Sequence, residues 1–256
     1  MTGRRRLVVA NWKMYKGPGE AAALATAVAA RIEGCRGGAG APQVVLCPPS
    51  ISLLEVCNAL RDSDIQVGSQ NSHWEMEGAF TGEISPPMIL TAGGTHTILG
   101  HSERRQFFAE SDAMVNLRLR AAVAAGLAPI VCCGESLEQR ESGDFAGFIL
   151  GQIDAALEGI KGDAVPGLTL AYEPIWAIGT GVTASVSQAQ EVHRLIRIAL
   201  AERIGDAAAH VRILYGGSVK PENAGALFAQ EDIDGGLVGG ASLDPDSFAA
   251  IVAAGG

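Results

Sequence analysis

Glu173 closes the apolar run LTLAY, Leu168–Tyr172, and the chain then carries no charge until Glu191. An isolated acid of this kind is either a structural accident or a base whose pKa is tuned by a dry surrounding. Other groups with chemical potential are scattered along the chain. They are Asn11 and Lys13 in NWK, Gln70 and Asn71, His101 in GHSERR, Glu135 after PIVCCG, and Ser218 in YGGSVKPEN. Taken singly, each has an ordinary use: a solvated lysine, a packed histidine, a carboxylate beside a helix end. Gly239 and Gly240 in VGGASLDPDS repeat the paired glycine of YGGS, and Gly179 and Gly181 follow Glu173. Glycine lets a backbone approach closely, and successive N–H groups near a helix start cradle an anion such as phosphate.

Short apolar, β-branched runs must position these groups. LVVANWKM, QVVLCPP, IQVGSQN, HTILGH, APIVCCGE, LTLAYEPI, VRILYGG and GGLVGG read as eight strands. Stretches with apolar residues three and four apart, such as EAAALATAVAARIE, MVNLRLRAAVAAG and SQAQEVHRLIRIALAERI, lie between them and read as helices. Continuous apolar strands alternating with helices predict parallel βαβ units, and eight of them predict an α/β fold closed as a (β/α)8 barrel. The length of 256 residues fits one such domain over 1–256, since these barrels use about 250. An open doubly wound sheet is the alternative, but no G-x-G-x-x-G follows the first strand. GCRGGAGAPQ reads as a mobile loop rather than a boundary. The polar groups above all fall at the C-terminal ends of strands, the face on which such barrels carry their active sites, with phosphate held after strands seven and eight.

A formal net charge of −9 argues against a nucleic-acid surface, the only basic cluster being Arg4–Arg6. The apolar run after that cluster is too soon interrupted, by Asn11 and Lys13, for a signal segment, and no run is long enough for a membrane span. The expected location is the cytoplasm. Five cysteines without paired or metal-ligand spacing read as reduced thiols. His73, His193 and His210 read as ordinary core or surface histidines and Trp74 as a packing residue. Trp176 reads as packing or as an anchor of the segment after Glu173, and SLEQRESGDF as a solvated loop and helix start.

NWKM, GAFTGE, GHSERR, YEPIWAIGTG, YGGSV and LVGGASL, in that order and at this spacing, resemble the triosephosphate isomerase family from Leu7 nearly to the C-terminus. The resemblance implies a TIM-barrel isomerase that interconverts dihydroxyacetone phosphate and D-glyceraldehyde 3-phosphate in glycolysis and gluconeogenesis. It implies Glu173 as general base, His101 as neutral electrophile and Lys13 as the cation of the pocket. Asn11, Lys13, Gly179, Ser218, Gly239 and Gly240 match substrate-binding positions, and Glu103 matches a carboxylate beside the histidine. It further implies a homodimer in which the loop bearing Thr81 inserts near Asn11 of the partner. Cys132 matches a family cysteine, read here as structural support because no base adjoins it. Tyr15, Cys133, Ile175 and Gly236 depart from residues common in the family, and none of them removes a catalytic group.

The chemistry of these residue types agrees with that assignment. Moving a carbonyl along a sugar phosphate takes a proton from the adjacent carbon, passes through an enediolate and returns the proton next door. One desolvated carboxylate serves both steps. A neutral imidazole donates to either oxygen, and a helix starting at SERRQFF is expected to hold its pKa down. No metal or organic cofactor is called for. The uncharged stretch after Glu173 is expected to cover the pocket and keep the enediolate from eliminating phosphate. Two other readings keep the same barrel: an isomerase of a four-carbon ketose phosphate, and a catalytically idle phosphate-binding barrel.

Overall fold

Eight strands, each hydrogen-bonded in parallel to the next, close when the last pairs with the first in the computed structural model, which describes residues 4–35, 40–160, 167–178 and 183–256. They are β1 Leu7–Asn11, β2 Gln43–Cys47, β3 Gln66–Ser69, β4 His96–Leu99, β5 Ala128–Cys133, β6 Thr169–Tyr172, β7 Arg212–Tyr215 and β8 Gly235–Val238. Each lies within one of the eight runs picked out by their apolar, β-branched character. Alternation along the strands divides the core in two. Leu7, Val9, Val45, Cys47, Ile98, Ile130, Cys132, Ala171, Leu214 and Leu237 form a small cluster of their own, the packed barrel interior. The intervening residues, such as Val8, Ala10, Val44 and Leu46, join the larger cluster between sheet and helices. Closure depends on Gly235: its φ is 136°, and a β-carbon there would lie 1.9 Å from the Leu7 carbonyl oxygen of the adjoining strand.

The helices are α1 Pro18–Ile32, α2 Leu53–Ala59, α3 Pro86–Thr91, α4 Ser102–Phe108, α5 Asp112–Ala125, α6 Leu137–Glu141, α7 Phe145–Ala156, α8 Val186–Ile204, α9 Pro221–Phe228 and α10 Pro245–Ala253. The three helical stretches read from periodicity are α1, α5 and α8, and each begins slightly earlier than its apolar pattern because of its cap. Pro18 stands in the first turn of α1, Ser111 accepts the Met114 N–H at α5, and Ser185 and Gln188 cap α8 reciprocally. α6 starts inside SLEQRESGDF, capped by Ser136, and is largely exposed. No described helix is long and apolar enough to cross a membrane. Cys47, Cys57, Cys132 and Cys133 are free thiols. Of GCRGGAGAPQ, residues 36–39 lie outside the described residues. Gly236, one of the family departures, faces the Phe228 ring, 3.3 Å from where its β-carbon would be; the missing side chain leaves that ring its place under β8.

Candidate active site

The C-terminal ends of β1, β4, β6, β7 and β8 surround a cavity of about 270 Å3 lined by Asn11, Lys13, His101, Glu173, Ser218, Gly239 and Gly240. Seven of the eight residues that the resemblance assigns to catalysis or substrate binding therefore meet in one place, while Gln70, Asn71 and Glu135 are not among those that line it. The eighth, Gly179, lies outside the described residues, as does Gly181. The cavity is small against the ~300–1,000 Å3 of pockets that hold drug-sized ligands.

Each side chain is fixed by its neighbours. Lys13 adopts a left-handed backbone, φ 49°, uncommon for a residue with a side chain. The Asn11 Oδ1 accepts its N–H at 3.0 Å, and the Gln70 amide donates to its carbonyl at 2.8 Å and to that of Cys47 at 2.9 Å. This turn directs the Lys13 Nζ to the Glu103 carboxylate, 2.6 Å away. His101 follows β4 and caps α4: its Nδ1 accepts the Glu103 N–H at 3.2 Å, which leaves the ring proton on Nε2. The Glu103 carboxylate lies 3.6 Å from that Nδ1, beside the histidine as the resemblance implied.

Glu173 is buried, and its carboxylate is held by one turn of chain. Oε2 accepts the Ser102 N–H at 2.9 Å, and Oε1 accepts the Ser102 hydroxyl at 3.2 Å and lies 3.0 Å from the His101 Nε2. This arrangement corrects the expectation for both pKa values. Burial pushes the Glu173 pKa up, but the His101 ring and the His101 and Ser102 hydrogen bonds outweigh it, so the carboxyl sits below its ordinary value. Burial likewise pushes His101 down, yet the adjoining Glu173 carboxylate carries it above the ordinary imidazole value. The start of α4 and the Nδ1 acceptor bond favour the neutral ring and act against this rise. Local sequence does not show this because Ser102 and Glu173 are 71 residues apart.

Room for the carboxylate is made by glycine. A β-carbon at Gly216 would lie 2.9 Å from the Glu173 Cγ, and one at Gly134 would collide with the Glu173 carbonyl at 1.8 Å. Behind it, the Cys132 thiol is fully buried and its pKa is raised, by burial first and then by the Glu173 charge, so it is not a nucleophile. Glu135 does not line the cavity. It is buried and accepts the Tyr172 hydroxyl at 3.0 Å and the Trp176 indole N–H at 2.9 Å, with Arg140 at 3.4 Å. Glu135 and Trp176 thus anchor the start of the segment after Glu173, a single turn of 3-10 helix at Ile175–Ala177.

The other end of the cavity suits an anion. Gly216, Gly217 and Ser218 follow β7, Gly239 and Gly240 follow β8, and Lys220 joins the lining. Ser102 and Lys220 were not singled out from sequence; Ser102 follows His101 directly and Lys220 lies two residues beyond Ser218, and that nearness is the only signal. The lining carries the cations Lys13 and Lys220 against the one carboxylate of Glu173. His73 stacks on Trp74 and accepts the Glu75 N–H, the buried His193 bonds the Ala189 carbonyl, and Trp74 packs under Arg118, all away from the cavity.

The family model described as triosephosphate isomerase matches residues 6–255. A triosephosphate isomerase of Chloroflexus aurantiacus is 50% identical over 247 residues, covering 96% of this chain and 97% of that protein. One of Chlorobium phaeovibrioides is 49% identical, covering 98% and 99%. The crystal structure of triosephosphate isomerase from Bartonella henselae superposes with a TM-score of 0.86 at 37% identity, covering 96% of this chain and 97% of that one. With a family match over residues 6–255 and relatives about half identical along nearly the whole length of both chains, the chain belongs to the triosephosphate isomerase family.

Proposed function

We propose that this chain is an aldose–ketose isomerase that interconverts dihydroxyacetone phosphate and D-glyceraldehyde 3-phosphate, the step shared by glycolysis and gluconeogenesis, working as one domain in the cytoplasm. The observation that carries the reading is the convergence of a buried carboxylate, an imidazole with its proton on Nε2 and a lysine on one small cavity with paired glycines at its far end. The relatives' names favour a three-carbon substrate over the four-carbon and idle alternatives.

The phosphate seats against Ser218, Gly239, Gly240 and, beyond the described residues, Gly179, with Lys220 at the rim. The substrate carbonyl takes the His101 Nε2–H that Glu173 occupies in the described arrangement. Released from His101 and Ser102, the carboxylate keeps its burial and loses the partners that lowered its pKa, and so becomes a stronger base. It removes a proton from C1 of dihydroxyacetone phosphate, and the C–H electron pair moves into the C1–C2 bond as the carbonyl pair moves to oxygen, giving the enediolate. The Nε2–H proton passes to the C2 oxygen and the ring takes up the hydroxyl proton of the C1 oxygen, which moves the negative charge to the C1 oxygen; Lys13 adds a fixed positive field, and Glu173 returns its proton at C2 as the C1 oxygen pair forms the aldehyde carbonyl. The test is a coupled assay offering three- and four-carbon ketose phosphates to the purified protein. Preference for the three-carbon substrate is expected; comparable or faster turnover of the four-carbon one refutes the assignment.

The working unit is a homodimer. Met14, Tyr15, Ile51, Leu54, Phe80 and Phe107 are exposed, and all belong to loops and helices that follow β1 to β4. A large apolar belt on one side of a barrel marks a surface that another chain covers. Thr81 projects on an exposed loop closed at its base by the His73 N–H to Ile84 carbonyl bond, and it inserts near Asn11 of the partner.

A further inference from the structure

A second cavity, of about 430 Å3, opens at the opposite end of the barrel, lined by Arg4, Arg5, Gly167, Leu168, His210 and Arg212 among others. Arg4 and Arg5 precede β1, Leu168 precedes β6 and Arg212 opens β7, so this cavity is a strand's length from the catalytic one and shares no residue with it. It gathers Arg4 and Arg5 of the basic cluster, which the catalytic chemistry does not use.

Among the described residues the lining holds no carboxylate. Its nearby carboxylate, Asp234, is already engaged: Oδ1 pairs with the Arg4 Nε at 2.8 Å, and Oδ2 with the Arg197 Nη2 at 2.5 Å and the Ile213 N–H at 2.9 Å. The hydrogen bonds of Arg5 and Arg212 go to neutral acceptors. Arg5 donates to the Ala41 carbonyl at 2.9 Å, and Arg212 to the Gln43 amide oxygen at 2.5 Å, an oxygen whose own amide group bonds Gln66. The Arg212 pKa is lowered by burial and by the like charge of Arg5, against the pull of Asp234. Among the described residues, the Arg5 and Arg212 guanidinium groups face one cavity with hydrogen bonds to neutral oxygens alone; in a chain of net charge −9 that arrangement suits an outside anion, and guanidinium matches the oxygens of phosphate in geometry as well as charge.

We propose that the cavity at the N-terminal end of the barrel binds a small phosphate-rich anion, held chiefly by Arg5 and Arg212 with Arg4 and His210 at its edge. The test uses inorganic pyrophosphate as probe, titrated calorimetrically at constant ionic strength with the catalytic cavity saturated by glycerol 3-phosphate. The wild-type protein is expected to bind one pyrophosphate per chain under these conditions. Arg5→Gln and the double variant Arg5→Gln/Arg212→Gln are expected to bind it at least tenfold more weakly while turning over substrate at the wild-type rate. Because Arg5 is exposed, the single variant decides the matter even where Arg212→Gln disturbs the fold. Absence of binding to the wild-type protein, or equal affinity in the wild-type and Arg5→Gln proteins, overturns the proposal.

Discussion

Two buried carboxylates sit at opposite ends of the same barrel, and the way each is held separates a structural group from a chemical one. Asp234 is gripped by Arg4, Arg197 and the Ile213 N–H, two of the three donors being permanent charges and the set drawn from separate parts of the chain. Releasing it would strand two partly buried guanidinium groups. Glu173 is held by Ser102 and His101, two adjacent residues, neither a permanent cation, and it faces a cavity. Its partners lose little when it leaves, since a substrate oxygen replaces it at His101. A carboxylate with fixed charges on every side is a rivet; one held by a neutral turn at the edge of an anion-sized cavity is free to act.

The two histidines flanking β4 repeat the contrast. His96, at the strand's start, is carried down to a pKa of about 4 by burial and by Arg212. His101, beyond its end, is carried upward by Glu173 against its burial.

The largest effect expected is on turnover. Glu173→Gln should lower it by about a thousandfold or more, within the range for general bases, with little loss of stability. Asp234→Asn should do the reverse, costing about 3 kcal/mol of folding stability while each folded molecule turns over at nearly the wild-type rate. Urea unfolding and steady-state rates on both variants check this; a stability loss in Glu173→Gln equal to that in Asp234→Asn would erase the distinction.

Removing the cover from the movable side comes next. Shortening Ile175–Gly179 should leave the barrel folded, lower turnover severely and raise the inorganic phosphate released per product formed, because the enediolate is no longer shielded. A phosphate fraction at the wild-type level alongside lower turnover would mean that the segment positions groups without protecting the intermediate. On the partner side, Thr81→Arg should bury an unpaired charge and split the dimer, with sedimentation as the readout; an unchanged, active dimer refutes the insertion near Asn11.

The smallest effects are pH-dependent and differ in sign. His96 has a folded pKa below its unfolded value of 6.5, so the unfolded chain takes up a proton that the native state refuses, and stability is lost as pH falls from 6.5 toward about 4. That slope is on the order of 1.4 kcal/mol per pH unit for one histidine. His101 has a raised folded pKa, so its share of stability is full below 6.5 and is lost as pH rises through the folded value. NMR titration of the two rings checks both, and Glu173→Gln should drop the His101 value while leaving His96 unmoved. A His101 pKa unchanged in that variant would show that the pairing does not set it.

The barrel was legible because its strands are buried on both faces and so read as continuous apolar runs, whereas α2 and α3, seven and six residues long, leave little room for a helical period. Lys13, His101 and Glu173 were legible as unusual residues at strand ends and as matches to family motifs. The docking of Glu173 on Ser102 was not, since it depends on β4 and β6 being brought together across the barrel. Nor was the dependence of that docking on Gly216: YGG reads as a phosphate turn, while the clearance its first glycine gives to the Glu173 Cγ appears only in three dimensions. The pKa directions were misread for the same reason. Burial is foreseeable from an apolar run, but the partners that override it come from elsewhere in the chain.

The central claim is that Glu173 leaves its docked position and carries the substrate's proton. It is tested most directly by following solvent deuterium into the carbon-bound positions of triose phosphate in heavy water, for the wild-type and Glu173→Gln proteins, with glycerol 3-phosphate affinity measured on each. The account predicts exchange in the wild-type protein, exchange at least about a thousandfold slower in the variant, and phosphate-ligand affinity preserved in both. Exchange in Glu173→Gln within tenfold of wild type, with ligand binding intact, would contradict it.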